Sequence, residues 1–174
     1  TGQPKYHKGF APLVEGFVHV PYDDLPAMEA VVDGDTCAIL VEPIQGEGGV
    51  VAPSPGYLQG LRELCDRHGA LLIFDEVQTG VARTGHWFAH QHEGVEPDIM
   101  SLAKGLGGGV PIGAMLTTAE VGRGFEPGAH ASTYGGNPLV CAAARTVFDT
   151  IVEEGLMEHV REMGAHMAEG LASI

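Results

Sequence analysis

Two residues in this chain stand where an amine and a carboxylate could act on one molecule. Asp75 closes the apolar run Ala70 to Phe74, and Lys104 closes the run Asp98 to Ala103, beside the glycines of GLGGG. A lysine in a partly desolvated crevice holds its proton less tightly and becomes an amine able to form a Schiff base with an aldehyde cofactor. On its own, Lys104 reads equally well as a surface lysine after a strand. Its context, an acid delivered by a similar run one crossover earlier, favours the chemical reading.

The runs that carry these residues are short, apolar and bounded by polar or glycine positions, which suits strands buried on both faces of a parallel sheet. Cys37 to Val41 is a third such run, and it delivers Glu42 and then PIQGEGG. The turn Gly46 to Gly49 places Glu47 on backbone that can approach a ligand closely. Ser54-Pro55 reads as an N-cap with proline at the first helical position, followed by an apolar face of Leu58, Leu61, Leu64 and Cys65 that closes at Gly69. This strand, loop, helix, strand order predicts parallel pairing through a right-handed crossover. In such sheets ligands collect at the carboxyl ends of the strands, where Asp75 and Lys104 both fall.

The remaining elements frame that core. Phe17 to Val20 is a candidate strand, Leu25 to Val32 a helix, Trp87 to His92 one or two helical turns, and Gly113 to Thr117 a further strand. Asn137-Pro138 repeats the cap-plus-proline signature and opens a helix with Val140, Ala144, Val147, Phe148 and Ile151, ended by Gly155. A last helix carries Leu156, Val160, Met163, Met167 and Leu171 as one stripe suited to packing. Residues 1–154 read as a cofactor-binding portion of a large domain, and 155–174 as a helix leading toward a C-terminal domain outside this chain. The 174 residues look like a fragment of a longer protein.

Nine Lys and Arg against 23 Asp and Glu give a net charge of −14. That field repels phosphate backbones and anionic lipids, so nucleic acid and membranes are poor partners and small molecules remain. Cys37, Cys65 and Cys141 are odd in number and form no CxxC pair, which predicts core thiols in a reduced, cytoplasmic protein.

Pyridoxal phosphate is an aldehyde cofactor that needs a carboxylate opposite its ring nitrogen. Asp75 is the candidate for that position, with Val77 packing on the ring and Gln78 bonding a ring substituent. Phosphate donors are available in Ser132 and Thr133 of STYGG, ahead of the Asn137 cap, and in the glycines after Lys104. LVEPIQGEGG, LLIFDEVQTGVARTG, SLAKGLGGGVPIGAM and STYGGNPL, in this order, resemble the class III (ornithine-type) aminotransferases of pyridoxal-phosphate fold type I. Within the class the wording is closest to the acetylornithine and succinylornithine members.

The resemblance implies an α/β fold, part of a large domain with a mostly parallel sheet flanked by helices. It implies that Lys104 is the Schiff-base lysine and proton carrier, Asp75 the pyridinium partner, Val77 the ring-packing residue and Gln78 the donor to the phenolic oxygen. Thr133, with Ser132 beside it, would reach the phosphate of a neighbouring subunit's cofactor, implying a homodimer with shared sites. Glu47 would serve substrate selection. The implied reaction moves an amino group from acetylornithine or succinylornithine to 2-oxoglutarate in arginine metabolism. The alternatives are another class III ω-aminotransferase, using ornithine or 4-aminobutyrate, or an inactive fragment that binds no cofactor.

Other readings of single motifs are weaker. LLIFDE resembles a Walker B strand, but no GxxxxGK[ST] accompanies it. His86, His90 and His92 lack the spacing of a full metal set, and no metal is expected. Arg83 could clamp a carboxylate but is expected to tie its loop to nearby carbonyls or acids. Glu42 and Glu76 are expected to be supporting or solvated acids.

Overall fold

The computed structural model describes residues 2–174. Its centre is a four-stranded sheet of β1 (Ala38–Val41), β2 (Leu71–Asp75), β3 (Ile99–Leu102) and β4 (Ala114–Thr117), in that spatial order. β1, β2 and β3 run parallel, with Val41 beside Phe74 and Phe74 beside Met100. β4 returns antiparallel along β3, pairing Ser101 with Met115. This is the mostly parallel α/β sheet expected, with the antiparallel edge as an addition.

The helices are α1 (Leu25–Glu29), α2 (Tyr57–His68), α3 (Ala119–Gly122), α4 (Pro138–Glu153) and α5 (Leu156–Ala172). α2 presents Tyr57, Leu58, Leu61, Leu64 and Cys65 to one face of β1 and β2, where Ile39, Val41, Leu72 and Phe74 meet them. Further along the sheet, Met100, Leu102 and Leu106 pack with Ala144 and Phe148 of α4. Burial therefore alternates along each central strand. The expected burial of both faces is not found, because these helices stand on one side, and Leu40 on β1 remains 63% exposed.

Local signals explain most element ends. Asp24 accepts from the Ala27 N–H at 2.9 Å to cap α1, and Asn137 accepts from the Val140 N–H at 3.2 Å to cap α4. Gly69 closes α2 at φ +69°, a left-handed cap open to glycine.

Three expectations are corrected. Ser54 does not cap α2: its hydroxyl is held by Asp23 at 2.7 Å, and the helix begins two residues later, behind Gly56 at φ +86°. Phe17 and Val18 form no strand, having no partner strand, and are 70% and 73% exposed. Of the three cysteines only Cys65 is core, with burial pushing its thiol up to about 11; Cys37 lies just before β1, Cys141 on the outer side of α4, and both are exposed.

Candidate active site

Parallel pairing brings the ends of β2 and β3 side by side, with Asp75 opposite Ser101. The Ser101 hydroxyl donates to Asp75 Oδ1 at 3.1 Å, and the Val77 N–H donates to the same oxygen at 3.0 Å. Both donors fix the carboxylate through one oxygen, and Oδ2 has no hydrogen-bond partner among the described residues. A carboxylate oriented in this way can meet a positively charged ring nitrogen with its second oxygen.

Past β3 the backbone turns sharply. Ala103 is followed by one tight helical turn, Lys104–Gly107, in which Lys104 itself lies at φ +43°. A non-glycine residue in the left-handed region is uncommon, and such strain collects at functional positions. Leu106, buried in the α4 cluster, and Gly107, whose added Cβ would lie 2.7 Å from Ile112 Cγ2, hold the turn. The Lys104 side chain makes no hydrogen bond or ion pair among the described residues. It is exposed, which corrects the expected desolvation: the amine shares its cleft with the loop after β2.

That border is a cleft of about 290 Å³ lined by Val77, Gln78, Gly80, Arg83, Lys104 and Gly105. Three of the predicted residues, Lys104, Val77 and Gln78, therefore share one wall-lined space. Asp75 does not line it; its link to the cleft is the Val77 N–H. Gly46 is pressed against Gln78, since a Cβ there would lie 2.3 Å from Gln78 Nε2. The Gly-rich turn after β1 thus abuts the cleft, although Glu47 itself is exposed and accepts from the Tyr6 hydroxyl at 3.1 Å. Ser132 and Thr133 are exposed in the loop before α4 and do not reach the cleft.

Several residues were missed or misjudged. Ser101 was not singled out, although its pairing opposite Asp75 follows from the strand register. Arg83 is not tied down: its side chain lines the cleft, is exposed, and makes no hydrogen bond or ion pair among the described residues. Glu76 is not solvated but 1% exposed, and it accepts from Thr79, Ala89 and His90. His90 is bound to Glu76 rather than poised for a metal, and the His86 and His92 rings lie 4.2 Å apart on the outer loop.

A second hollow of about 330 Å³ lies at the opposite end of the sheet, around Arg62 and Asp98. Its arginine is already bonded to Asp66 at 2.7 Å and Asp98 at 2.8 Å. The carboxyl-end cleft, with its unpaired amine, is the candidate site.

The Aminotransferase class-III family matches residues 1–174. The chain belongs to the class III aminotransferases. It is 53% identical over 173 residues to the acetylornithine aminotransferase of Agrobacterium fabrum, covering 99% of this chain and 43% of that protein. It is 56% identical over 164 residues to the acetylornithine aminotransferase of Methanopyrus kandleri, covering 94% of this chain and 42% of that one. Among solved structures, an ornithine aminotransferase from Toxoplasma gondii, described with pyridoxal phosphate at partial occupancy in its active site, superposes with a TM-score of 0.93 at 44% identity. That match covers 98% of this chain and 40% of the other. This class III chain spans a little over two fifths of the curated relatives it matches, with the Agrobacterium protein at 43%.

The residues present fit the family's cofactor on their own chemistry. The cleft offers an unpaired amine and an amide side chain with no partner among the described residues, and beside it, joined through the Val77 N–H, stands the Asp75 carboxylate with one oxygen unengaged. Gly46 keeps the space beside Gln78 clear of a Cβ.

Proposed function

We propose that this protein is a pyridoxal-phosphate-dependent transaminase that moves an amino group from N-acetylornithine, or succinylornithine, to 2-oxoglutarate, giving the semialdehyde and glutamate. In this reading it serves arginine biosynthesis in the cytoplasm and works as a homodimer. The observation that carries it is Lys104: an unpaired amine on a left-handed residue at a strand end, facing Val77 and Gln78 across one cleft.

When bound, the cofactor supplies an aldehyde for the amines and a ring that accepts electrons from the substrate carbon. Lys104 Nζ would hold the cofactor and, as a free amine, would carry a proton to and from the substrate carbon. Asp75 keeps the ring nitrogen protonated through Oδ2, held for that task by Ser101 and the Val77 N–H. Gln78 donates to the phenolic oxygen and Val77 packs on the ring. Ser132 and Thr133 reach the phosphate across the subunit boundary, and Glu47 lies on the substrate side. A second reading, with ornithine as donor, draws on the likeness to the Toxoplasma enzyme; the ratio of kcat/KM for the two donors separates them.

The test uses the full chain with pyridoxal phosphate. A visible absorbance should develop, and borohydride reduction should fix the added mass on the peptide containing Lys104. Lys104→Ala should lose both signals. Label on another lysine counts against the assignment.

A further inference from the structure

Glu76 is a buried carboxylate, 1% exposed, that the proposed reaction leaves unused. It follows Asp75 directly, yet it lies on the core side, in line with Leu72 and Phe74, because strand side chains alternate. Its Oε2 accepts from the Thr79 hydroxyl and, at 3.0 Å, from the Ala89 N–H. Its Oε1 accepts from the His90 N–H at 2.9 Å and from His90 Nδ1 at 3.0 Å. An ionised carboxylate only accepts, so Nδ1 is the protonated ring nitrogen. The His90 ring is stacked at 5.6 Å on Phe88 and lies 5.8 Å from the ring of Phe74.

Both ends of the 77–90 loop therefore close on one side chain. The Glu76 carbonyl also accepts from the Gly80 N–H at 2.8 Å. Between these ties the loop contains Val81 at φ +56° and Ala82 at φ +64°, two successive non-glycine residues in the left-handed region. Such a conformation persists only where the surroundings determine it. The outer part of the loop is held separately, by Trp87 stacked on Phe148 at 5.1 Å and by Arg161 donating to the Gly85 carbonyl. The inner part, with Val77, Gln78, Gly80 and Arg83, forms one wall of the cleft opposite Lys104.

We infer that Glu76 is a positioning residue, whose buried carboxylate holds the 77–90 loop so that Val77 and Gln78 face the cofactor bonded to Lys104. The inference rests on the proposed cofactor reading for its consequence, and on the hydrogen bonds alone for the anchoring. Glu76→Gln keeps the shape but replaces one acceptor oxygen by an NH₂ group. Whichever way the amide is turned, the NH₂ faces a backbone N–H, either Ala89's or His90's, which cannot reverse its role.

The test has two arms in the full chain. In the first, without cofactor, trypsin cleavage after Arg83 is timed against cleavage after Arg145 in α4, which reports global opening. Glu76→Gln should speed the Arg83 cut about tenfold relative to the Arg145 cut, and Thr79→Val, which removes one hydroxyl, about threefold. In the second, the pyridoxal phosphate Kd and the pH midpoint of the lysine-bound absorbance are measured. Glu76→Gln should weaken binding about tenfold and move the midpoint, with Thr79→Val shifting both in the same direction.

Unchanged relative cleavage in both variants overturns the anchoring. Faster Arg83 cleavage with unchanged Kd and midpoint overturns the positioning role. Should wild type gain no absorbance with the cofactor, the transaminase reading fails, and the trypsin arm still decides the anchoring. If Glu76→Gln does not fold, Thr79→Val decides both arms.

Discussion

Glu76 shows how much a single side chain's environment decides. Burial pushes its carboxyl pKa up, but the hydrogen bonds from His90, Thr79 and the backbone N–H groups outweigh that and hold it below the ordinary carboxylate range. A carboxyl whose folded pKa lies below its unfolded one contributes stability that is present above the unfolded value and lost as pH falls through the folded one. The urea midpoint of wild type should therefore drop as pH is lowered below about 4.5, the usual carboxylate range. Glu76→Gln should start lower at neutral pH and lose less on acidification, since it has nothing to titrate there. Equal acid slopes in the two proteins, from urea melts between about pH 3 and pH 7, would remove this group from the acid response. The residue scale also shows what the sequence could disclose. Asp75 and Lys104 were legible because apolar runs announce strand ends. For Glu76 the residues left a supporting and a solvated role open, although counting by twos from Leu72 and Phe74 puts it on the core face and favours the first. Ser101 was legible only through strand register, and nothing in the residues around Arg83 disclosed that its side chain would stand free at the cleft.

At the scale of elements, glycines mark where backbone shape rather than side chains sets the architecture. Gly69 and Gly80 make the contrast. Gly69 ends α2 at φ +69°, and a Cβ built there meets nothing within 4 Å. The cost of Gly69→Ala is then conformational alone, about 1 kcal/mol. Gly80 has an ordinary φ, but a Cβ there would lie 2.8 Å from the Glu76 carbonyl oxygen and 2.8 Å from Leu102 Cδ2. Backbone cannot yield as a flexible side chain does, so Gly80→Ala should cost more, about 1–3 kcal/mol. Denaturant melts should rank the two in that order; the reverse order would mean that the loop after β2 relaxes more freely than its hydrogen bonds suggest. Helix ends were largely readable, as Gly69 and Asn137 show. The start of α2 was not, because the Ser54 hydroxyl is claimed by Asp23, distant in sequence, and a left-handed Gly56 intervenes. Phe17 to Val20 carries strand-like residues, but pattern alone cannot supply a neighbouring strand.

For the molecule as a whole, the unresolved balance is between its acidic surface and the apolar groups left at its margins. The stripe on α5 was expected to pack. Its first turns approach α4, but Met163, Met167 and Leu171 are 42%, 65% and 68% exposed. Such a row is apolar surface left uncovered within this chain. Within the 174 residues it contributes little burial, so Met167→Gln with Leu171→Gln should change the stability of this chain by no more than about 0.5 kcal/mol. The same pair should lower both self-association in sedimentation velocity and binding of a hydrophobic dye, because the net charge of −14 then opposes association without an apolar attraction to overcome it. A stability loss of about 2 kcal/mol or more in the double variant would show that the stripe is already packed within this chain. The measurement needs neither cofactor nor substrate.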